Sequence, residues 1–172
     1  IPFAQIEFEG NNLWGVDTLT ICPTANVRFR NYSWSNTSKV DYLWLFGDGD
    51  TSNLQNPTHI YSADTSYTVT LIATNANGSD TLTLTNYITV NQNPSLITNG
   101  TDISCNGLCD GQASATVSGG SPGYTYLWSN GQTTPIDTGL CGGTYNITVT
   151  DVVGCIVIGN VTIAEPSAIN LL

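Results

Sequence analysis

The stretch at residues 42–49 reads Tyr-Leu-Trp-Leu-Phe-Gly-Asp-Gly, and it is followed by Pro-Thr-His-Ile-Tyr at 57–61 and Tyr-Thr-Val-Thr-Leu at 67–71. Successive side chains of a strand point to opposite faces, so the aromatic residues of the first segment share one face. The two glycines permit a tight turn directly after that strand. Together the three segments predict a small β-sandwich with an aromatic strand, a Gly-Asp-Gly turn and a closing edge.

Alternation of apolar and polar residues with a period of two recurs along the whole chain, and no stretch keeps a helical period. About seven short strands of this kind precede residue 91, which is typical of a sandwich. A second series follows the polar stretch Asn91-Gln-Asn-Pro94 and contains Asn130-Gly131, a dipeptide typical of hairpin turns. The pattern predicts an all-β chain made of two tandem Ig-like β-sandwich modules.

The predicted domain boundaries follow from these composition shifts. We expect a first sandwich, a linker, a second sandwich and the start of a further repeat at residues 1–91, 92–99, 100–166 and 167–172. The last boundary rests on an echo between Pro94-Ser-Leu-Ile and Pro166-Ser-Ala-Ile, which stand 72 residues apart. Self-similarity at a fixed period predicts a tandem array.

The charge of the chain excludes some partners. Thirteen acidic residues face three basic ones, Arg28, Arg30 and Lys39, for a net charge of −10. Three scattered cations cannot form the basic patch that nucleic acid or an anionic membrane requires, so we expect neither as a partner. No apolar run is long enough to span a bilayer, which argues against direct membrane insertion. The chain opens with Ile1 rather than Met, so we expect it to be a piece of a longer secreted protein.

The first half resembles a polycystic kidney disease-type (PKD) domain. Four segments of matching order and spacing carry the resemblance: Trp44-Leu-Phe-Gly-Asp-Gly49, Thr51-Ser52, Asn56-Pro-Thr-His-Ile-Tyr61 and Tyr67-Thr-Val-Thr-Leu71. The family usually has an acid after the tryptophan, where this chain has Leu45. The resemblance implies structural roles for a set of motif residues, namely Trp44, Phe46, Gly47, Asp48, Gly49, His59 and Tyr61.

The second half resembles the SprB repeat of gliding Bacteroidetes. The matching segments are Cys105-Asn-Gly, Asp110-Gly111, Gly119-Gly-Ser-Pro, Tyr124-Thr-Tyr, Trp128-Ser-Asn-Gly131, Gly143-Thr-Tyr145, Val149-Thr-Asp151 and Gly154-Cys155. Trp128 and Asp151 are structural motif residues in this interpretation. PKD domains beside such repeats resemble pieces of very large cell-surface adhesins. The resemblance implies export through the type IX secretion system and a role in gliding motility or attachment at the bacterial cell surface.

Four of the five cysteines, Cys105, Cys109, Cys141 and Cys155, fall within the second module. Four cysteines in one small module of an exported protein argue for two disulfides, for which three pairings exist. We favour Cys105–Cys155 with Cys109–Cys141, because the first bond would tie the first strand of the module to its last hairpin. A zinc site is the alternative, but the chain has no Cys-x-x-Cys pair and its one histidine lies in the other module.

The fifth cysteine, Cys22, has no evident partner inside its own module. PKD-like domains of Bacteroidetes often pair a cysteine here with one near the Asn-x-Gly turn, where this chain has Ser79. We expect Cys22 to be a small buried thiol. The alternative is a bond to a neighbouring module.

Asp48 and Asp50 stand two apart in a glycine-rich turn and could offer oxygen ligands to Ca²⁺. Calcium-binding PKD domains resemble one another in an Asp-x-Asp-Gly loop ahead of the tryptophan strand, and residues 35–39 of this chain contain no acid. The favoured alternative is that Asp48 accepts hydrogen bonds from amides of the turn.

Asp102, Asp110 and Asp151 form a second set of calcium candidates. Asp151 is in phase with the buried face of its strand, and a buried carboxylate needs a partner. Backbone N–H groups of the turn at residues 151–154 would serve that purpose without an ion. Apart from calcium, we expect no cofactor.

No set of residues points to catalysis. His59 could act as a base or a metal ligand, but no nucleophile is recognisably paired with it, and the resemblance implies a structural role. Glycosidase chemistry needs two carboxylates across a cleft, and nothing singles out one pair among thirteen acids. We therefore expect no catalytic residue and no enzymatic activity.

Two functions remain open. The first is a non-catalytic stalk or spacer segment of a large bacterial cell-surface adhesin, whose partners are neighbouring repeats of the same chain. The second is a carbohydrate- or protein-binding accessory module of a secreted hydrolase, with a surface polysaccharide or a protein as its ligand. Tyr32 and Trp34, if exposed, could stack on sugars, so an exposed aromatic platform would favour the second function.

Overall fold

The structure, a computed structural model, describes the backbone of residues 6–8 and all of residues 18–33 and 39–169. Within these ranges the chain forms fourteen strands and no helix, divided between two compact units, Ile1–Asn91 and Gln92–Leu172. The strands of the first unit are β1 (Ile6–Phe8), β2 (Leu19–Ile21), β3 (Asn26–Asn31), β4 (Asp41–Leu45), β5 (Thr51–Ser52), β6 (Thr58–Ile60), β7 (Ser66–Asn75) and β8 (Gly78–Val90). Those of the second unit are β9 (Ser95–Thr101), β10 (Gly111–Ser118), β11 (Thr125–Trp128), β12 (Ile136–Leu140), β13 (Gly143–Thr150) and β14 (Ile156–Ile163).

The first unit is a sandwich of a three-stranded sheet, β1-β3-β6, and a five-stranded sheet, β2-β8-β7-β4-β5. Neighbouring strands are antiparallel, except that β2 pairs with β8 in parallel. Alternate residues of these strands, and the residues directly after β4 and β6, form one core: Val27, Phe29, Trp44, Phe46, Tyr61, Tyr67, Val69, Leu71, Ile88 and Val90. The predicted aromatic strand thus supplies the centre of this core.

The predicted Gly-Asp-Gly turn follows β4 and requires glycine at its first position. Gly47 has a φ of +93°, and a Cβ there would lie 2.5 Å from the carbonyl oxygen of Thr68. Thr68 sits at a bulge of β7, where its Oγ1 accepts a hydrogen bond of 3.2 Å from the backbone N–H of Asn86. The turn can therefore lie against the bulge only if position 47 has no side chain.

The second unit is also a sandwich, of sheets β12-β10-β9 and β11-β13-β14. Its core is built from inward-pointing residues of both sheets and from Ile103, which follows β9: Ile103, Ala113, Ala115, Trp128, Leu140, Ile147, Val149, Val161 and Ile163. The prediction of an all-β chain with two Ig-like sandwich modules is confirmed.

The predicted linker at residues 92–99 is wrong over its second half. Residues 95–99 belong to β9, which pairs with β10 from Ser118 back to Gln112. Leu96 is half-buried and packs on the core of the second unit, so the strand begins directly after the buried Pro94. Of the predicted start of a further repeat, residues 167–169 form no strand, and 170–172 lie outside the described residues.

In the part of each unit that the structure describes, one buried tryptophan holds a loop over the core. Trp44 donates its indole N–H to the carbonyl oxygen of Leu54 at 3.0 Å, and Trp128 donates to that of Thr134 at 2.9 Å. Both side chains are within 1% of complete burial. A buried indole N–H needs an acceptor, so each bond fixes the chain that follows the tryptophan strand.

Each unit also has a tyrosine that bonds back to the chain four residues upstream. The hydroxyl of Tyr67 donates to the carbonyl oxygen of Ala63 at 3.3 Å, and that of Tyr145 donates to Cys141 at 3.1 Å. Such a tyrosine corner recurs in Ig-like sandwiches at the turn that leads into a central strand.

A substitution of Trp44 tests the role of the hydrogen bond from its indole N–H to the carbonyl oxygen of Leu54. Trp44→Phe keeps an aromatic ring but removes the N–H and part of the core volume, so we expect the first unit to lose about 2 kcal/mol of unfolding free energy. Urea denaturation followed by NMR signals of the first unit measures this loss. Leu45→Thr, at the next and outward-facing position, is the control, with an expected change within about 0.5 kcal/mol. Equal losses in the two variants would contradict the assigned role.

Candidate functional site

The turn after β4 and strand β6 bring together the side chains of Asp48, Asp50 and His59. Nε2 of His59 lies 2.6 Å from Oδ2 of Asp48, and the backbone N–H of Asp50 donates to Oδ1 of Asp48 at 3.1 Å. The imidazole ring stacks on Phe46 at 4.2 Å and meets the edge of Tyr61 at 4.6 Å. The side chain of His59 is only 9% exposed, so its ring is clamped on both sides.

These contacts explain the ionisation of the cluster. Burial disfavours the charged form of Asp48, but the hydrogen bonds from His59 and from the backbone of Asp50 outweigh it and hold the pKa of Asp48 below its usual value. Burial raises the pKa of Tyr61, and the negative charge of Asp48 adds to that rise. The Tyr61 hydroxyl donates to the carbonyl oxygen of Phe46 at 3.1 Å. Imidazole, carboxylate and phenol therefore brace the turn, as the resemblance implied.

Asp48, Asp50 and His59 also form the one group of three metal-ligating side chains within the described ranges, with ligand atoms at most 4.8 Å apart. One nitrogen and two carboxylate oxygens suit Zn²⁺ better than Ca²⁺, which takes six to eight oxygens. An ion there would first have to displace the hydrogen bond between Asp48 and His59.

Asp151 fills the role that its phase in the strand predicted. It is 5% exposed, and Oδ1 accepts hydrogen bonds of 2.9 Å from the backbone N–H groups of Val153 and Cys155. Oδ2 accepts a third, also of 2.9 Å, from Ser121. Burial opposes ionisation, but the bonds from Ser121, Cys155 and Val153 outweigh it and lower the pKa of Asp151.

The other four carboxylates of the second unit also accept hydrogen bonds from residues elsewhere in that unit. Oδ1 of Asp137 is buried without a hydrogen-bond partner, but its Oδ2 is bonded. The four bonded pairs are Asp102 with the N–H of Ala164 (2.7 Å), Asp110 with the N–H of Ser104 (2.9 Å), Asp137 with Nδ2 of Asn130 (2.8 Å), and Glu165 with the N–H of Gly107 (2.7 Å).

The predicted calcium set of Asp102, Asp110 and Asp151 is therefore not brought together in the described structure. Each of the three carboxylates is held by amides in a different part of the unit. Periodicity could place Asp151 on a buried face, but nothing in the sequence gives the distances between loops from different strands.

The observed state of the cysteines agrees only in part with the predicted disulfide pairing. Cys109 and Cys141 form a disulfide, as expected, and Cys155 is also disulfide-bonded. Cys105 has a free thiol, so the predicted Cys105–Cys155 bond is wrong. Cys105 opens a turn that leaves its side chain exposed, whereas Cys155 is 1% exposed. Cys22 takes part in a disulfide, so its prediction as a buried thiol is also wrong.

Tyr32 and Trp34 are candidates for stacking on sugars only if their side chains are exposed. Tyr32 is 42% exposed, and Trp34 lies outside the described residues. Tyr32 is the one large aromatic side chain that the described ranges leave exposed, so they hold no broad aromatic platform. The same ranges contain no helix long and apolar enough to cross a membrane.

Comparison with known families agrees with the two-part arrangement. Residues 15–90 match the family model of the PKD domain, and residues 97–133 match that of the SprB repeat. The predicted order, a PKD-type domain followed by a SprB repeat, is confirmed. The two matches indicate a cell-surface adhesin-type or accessory module, and with the disulfides they suggest an extracellular or surface protein.

Individual relatives cover only part of the chain. It is 42% identical over 59 residues to collagenase ColA of Bacillus cereus and 49% identical over 41 residues to collagenase ColQ1 of Bacillus cereus strain Q1. These segments are 34% and 24% of this chain but only 6% and 4% of the collagenases. A C-terminal fragment of intimin, solved with the intimin-binding domain of its translocated receptor, is similar with a TM-score of 0.55 and 13% identity. That likeness covers 92% of this chain and 63% of the fragment, and it shows the fold alone.

Two cysteine variants test the Cys109–Cys141 disulfide and the free thiol of Cys105. A Cys109→Ser, Cys141→Ser double variant should lower the unfolding free energy of the second unit by roughly 3–4 kcal/mol, because the bond closes a loop with a sequence separation of 32. Cys105→Ser is the matched control and should change it by less than about 0.5 kcal/mol. Denaturation with urea measures both. A comparable loss for Cys105→Ser would show that its thiol is engaged.

Asp151 gives a pH-dependent test. Its folded pKa is depressed, so its contribution is present above the unfolded pKa of about 4 and is lost as the pH falls through the folded pKa. Asp151→Asn should therefore cost the second unit about 2 kcal/mol at neutral pH, and less near pH 3. Asp64→Asn, at an exposed position, is the control. A gap between wild type and Asp151→Asn that stays constant with pH would argue against the ionised carboxylate.

Proposed function

We propose that this chain is a non-catalytic stalk segment of a large bacterial cell-surface adhesin that serves gliding motility or surface attachment. Its partners are then neighbouring repeats of the same chain, and it needs no cofactor. The proposal is carried by one observation: in each unit an early strand and the last strand lie side by side and run in the same direction.

In the first unit this pair of strands is β2 and β8. Their parallel register runs from Leu19 opposite Ile88 to Ile21 opposite Val90, and the backbone N–H of Asn91 donates to the carbonyl oxygen of Ile21 at 2.9 Å. Tension on the two ends of the unit slides these strands along each other. Several hydrogen bonds then have to break together, which resists force better than opening them one at a time.

In the second unit the pair is β9 and β14, which belong to different sheets. Thr98 donates its hydroxyl to the carbonyl oxygen of Asn160 at 2.8 Å. Just beyond both strands, the N–H of Ile103 donates to the carbonyl oxygen of Ala164 at 3.3 Å. Residue numbers rise together along β9 and β14, so the two strands run in the same direction. This pair of strands, called the seam below, is therefore also loaded in shear when the ends of the unit are pulled apart.

The chemistry of the side chains supports a passive role. The second unit has no lysine, arginine or histidine, and its five acids are the carboxylates that join parts of its chain. In the first unit, His59 and Asp48 are engaged with each other and with the ring cluster. An acid–base catalyst needs such groups directed at a substrate in a cleft.

The collagenase relatives favour a second candidate, an accessory module of a secreted hydrolase. Two of the matched proteins are named collagenases, and the matched segments are a small share of their length. In that case the chain would bind a polysaccharide or a protein beside a catalytic domain. The complete reading frame separates the candidates: many similar repeats support the stalk, and an adjoining catalytic domain supports the accessory module.

Single-molecule pulling tests the load-bearing seam. The chain is pulled from its two ends in the presence of reductant, so that strands rather than disulfides carry the load. Thr98→Val removes one bond of the seam and should make the second unit unfold about fivefold faster at a given force, equivalent to about 1 kcal/mol.

Thr116→Val, on the neighbouring strand β10, is the matched control and should leave the unfolding force unchanged. Unfolding of both wild-type units at forces no higher than for sheets that unzip would contradict the stalk proposal. Equal unfolding forces for Thr98→Val and wild type would show that the seam does not resist the applied force, and the stalk proposal would lose its supporting observation.

A further inference from the structure

We propose that the second unit modifies itself: the carboxylate of Glu165 promotes ring closure between Asn106 and Gly107, which converts Asn106 into aspartate or isoaspartate. Asn106 and Gly107 lie in the turn that follows Cys105, between β9 and β10. The reaction is an acyl transfer within the chain that runs once at each site, so it requires no bound substrate. The inference goes beyond the stalk role and does not depend on it.

One oxygen atom of Glu165 contacts both nitrogen atoms that take part in this reaction. Its Oε1 accepts a hydrogen bond of 2.7 Å from the backbone N–H of Gly107 and another of 2.9 Å from Nδ2 of Asn106. The first nitrogen is the nucleophile and the second is the leaving group. A general base must lie within about 2.6–3.2 Å of the group from which it takes a proton, and both distances meet that requirement.

The reaction begins when Oε1 takes the proton of the Gly107 N–H and this nitrogen forms a bond to Cγ of Asn106. The electron pair of the side-chain carbonyl moves onto Oδ1. As that pair returns, the bond between Cγ and Nδ2 breaks, and Oε1 gives its proton to Nδ2, which leaves as ammonia. The product is a succinimide. A solvent water molecule then opens either carbonyl of the ring, so the reaction needs no oxidant or reductant.

Glu165 is held in position for this role. Its side chain packs on Gly142, where an added Cβ would lie 2.9 Å from Cβ of Glu165 and 3.2 Å from its Oε2. Nδ2 of Asn106 also donates to the carbonyl oxygen of Pro166, the next residue, at 3.1 Å. The base and the reacting groups are therefore fixed against each other beforehand, which lowers the entropic part of the barrier.

The surroundings of Gly107 leave room for ring closure. The residue has a φ of +80°, and a Cβ there would meet no atom within 4 Å. Because glycine has no side chain, its nitrogen can approach the side chain of the preceding asparagine without a clash. Asn106, Gly107 and Glu165 are all exposed, so water can reach the ring after it forms.

The chain has three other Asn-Gly pairs, which begin at Asn77, Asn99 and Asn130. In none of these three described pairs does one carboxylate contact both nitrogens. The N–H of Gly131 donates to the carbonyl oxygen of Trp128, whereas Nδ2 of Asn130 donates to Asp137, so nucleophile and leaving group have different acceptors. The other two pairs lie in the ladder between β9 and β10 and in the hairpin between β7 and β8.

The reaction would change the contacts of the turn. The succinimide has neither the N–H of Gly107 nor Nδ2 of Asn106, so both hydrogen bonds to Glu165 are lost. Hydrolysis then places a new carboxylate near that of Glu165, and the two like charges repel each other. The turn at residues 105–108 would thus be released from the segment that follows β14.

The rate of deamidation at each Asn-Gly pair of the full chain tests the proposal. The chain is incubated at neutral pH, folded or in guanidinium chloride, then digested with pepsin in acid, and the peptides are examined by mass spectrometry. We expect Asn106 to react at least about tenfold faster in the folded chain than in denaturant. The other three pairs should react more slowly when folded. A rate at Asn106 no higher in the folded chain than in denaturant would overturn the proposal.

Two variants test the carboxylate itself. Glu165→Gln keeps an acceptor oxygen but cannot take the proton, so it should slow the reaction of folded Asn106 at least about tenfold and leave the rate in denaturant unchanged. Gly142→Ala keeps the carboxylate but displaces it, and it should also slow the folded reaction. Amide NMR spectra check that both variants are folded.

Asp102→Asn is the matched control. It removes one negative charge from the same unit, and its Oδ1 can still accept the hydrogen bond that Asp102 accepts from the N–H of Ala164. The rate at Asn106 should therefore stay unchanged. An unchanged rate in Glu165→Gln, or equal slowing in Asp102→Asn and Glu165→Gln, would show that Glu165 is not the base.

Discussion

The hydrogen bond from one buried indole to the loop after its strand is the contact on which each unit depends. Trp44 and Trp128 lie at the centres of the two cores, where an unbonded N–H would be costly. Bonding it to Leu54 or to Thr134 fixes the path of the chain out of the core. In the first unit that path leads to β6 and places His59 against the turn.

Much of the fold could be predicted because it depends on local pattern. Period-two alternation gives the strands, and the phase of Asp151 with its buried neighbours identified a carboxylate that needed amide partners. The same reasoning placed residues 92–99 in a linker, because short polar stretches next to proline look alike whether or not a strand follows. Leu96 distinguishes a strand from a linker here because it is partly buried, and that burial depends on the core of the second unit.

The parts that could not be predicted depend on which segments meet in space. An odd number of cysteines requires one unpaired thiol within the chain, but spacing cannot tell that it is Cys105 rather than Cys22. Likewise, the loop that brings Asn56 beside β3, where its Oδ1 accepts a hydrogen bond from the backbone N–H of Asn31, has no signature in the sequence. Loop placement of this kind follows from tertiary packing alone.

The scarcity of basic residues bears on survival outside the cell. Enzymes that cut after lysine or arginine find no such residue in the whole second unit. In the first unit, Arg28 and Arg30 lie within β3, which is paired on both sides, so an extended peptide cannot be drawn from it into a protease cleft. Only Lys39 stands exposed outside a strand. Trypsin-like digestion of the folded chain would thus be confined to a single nick, and everything after it would persist as one intact fragment.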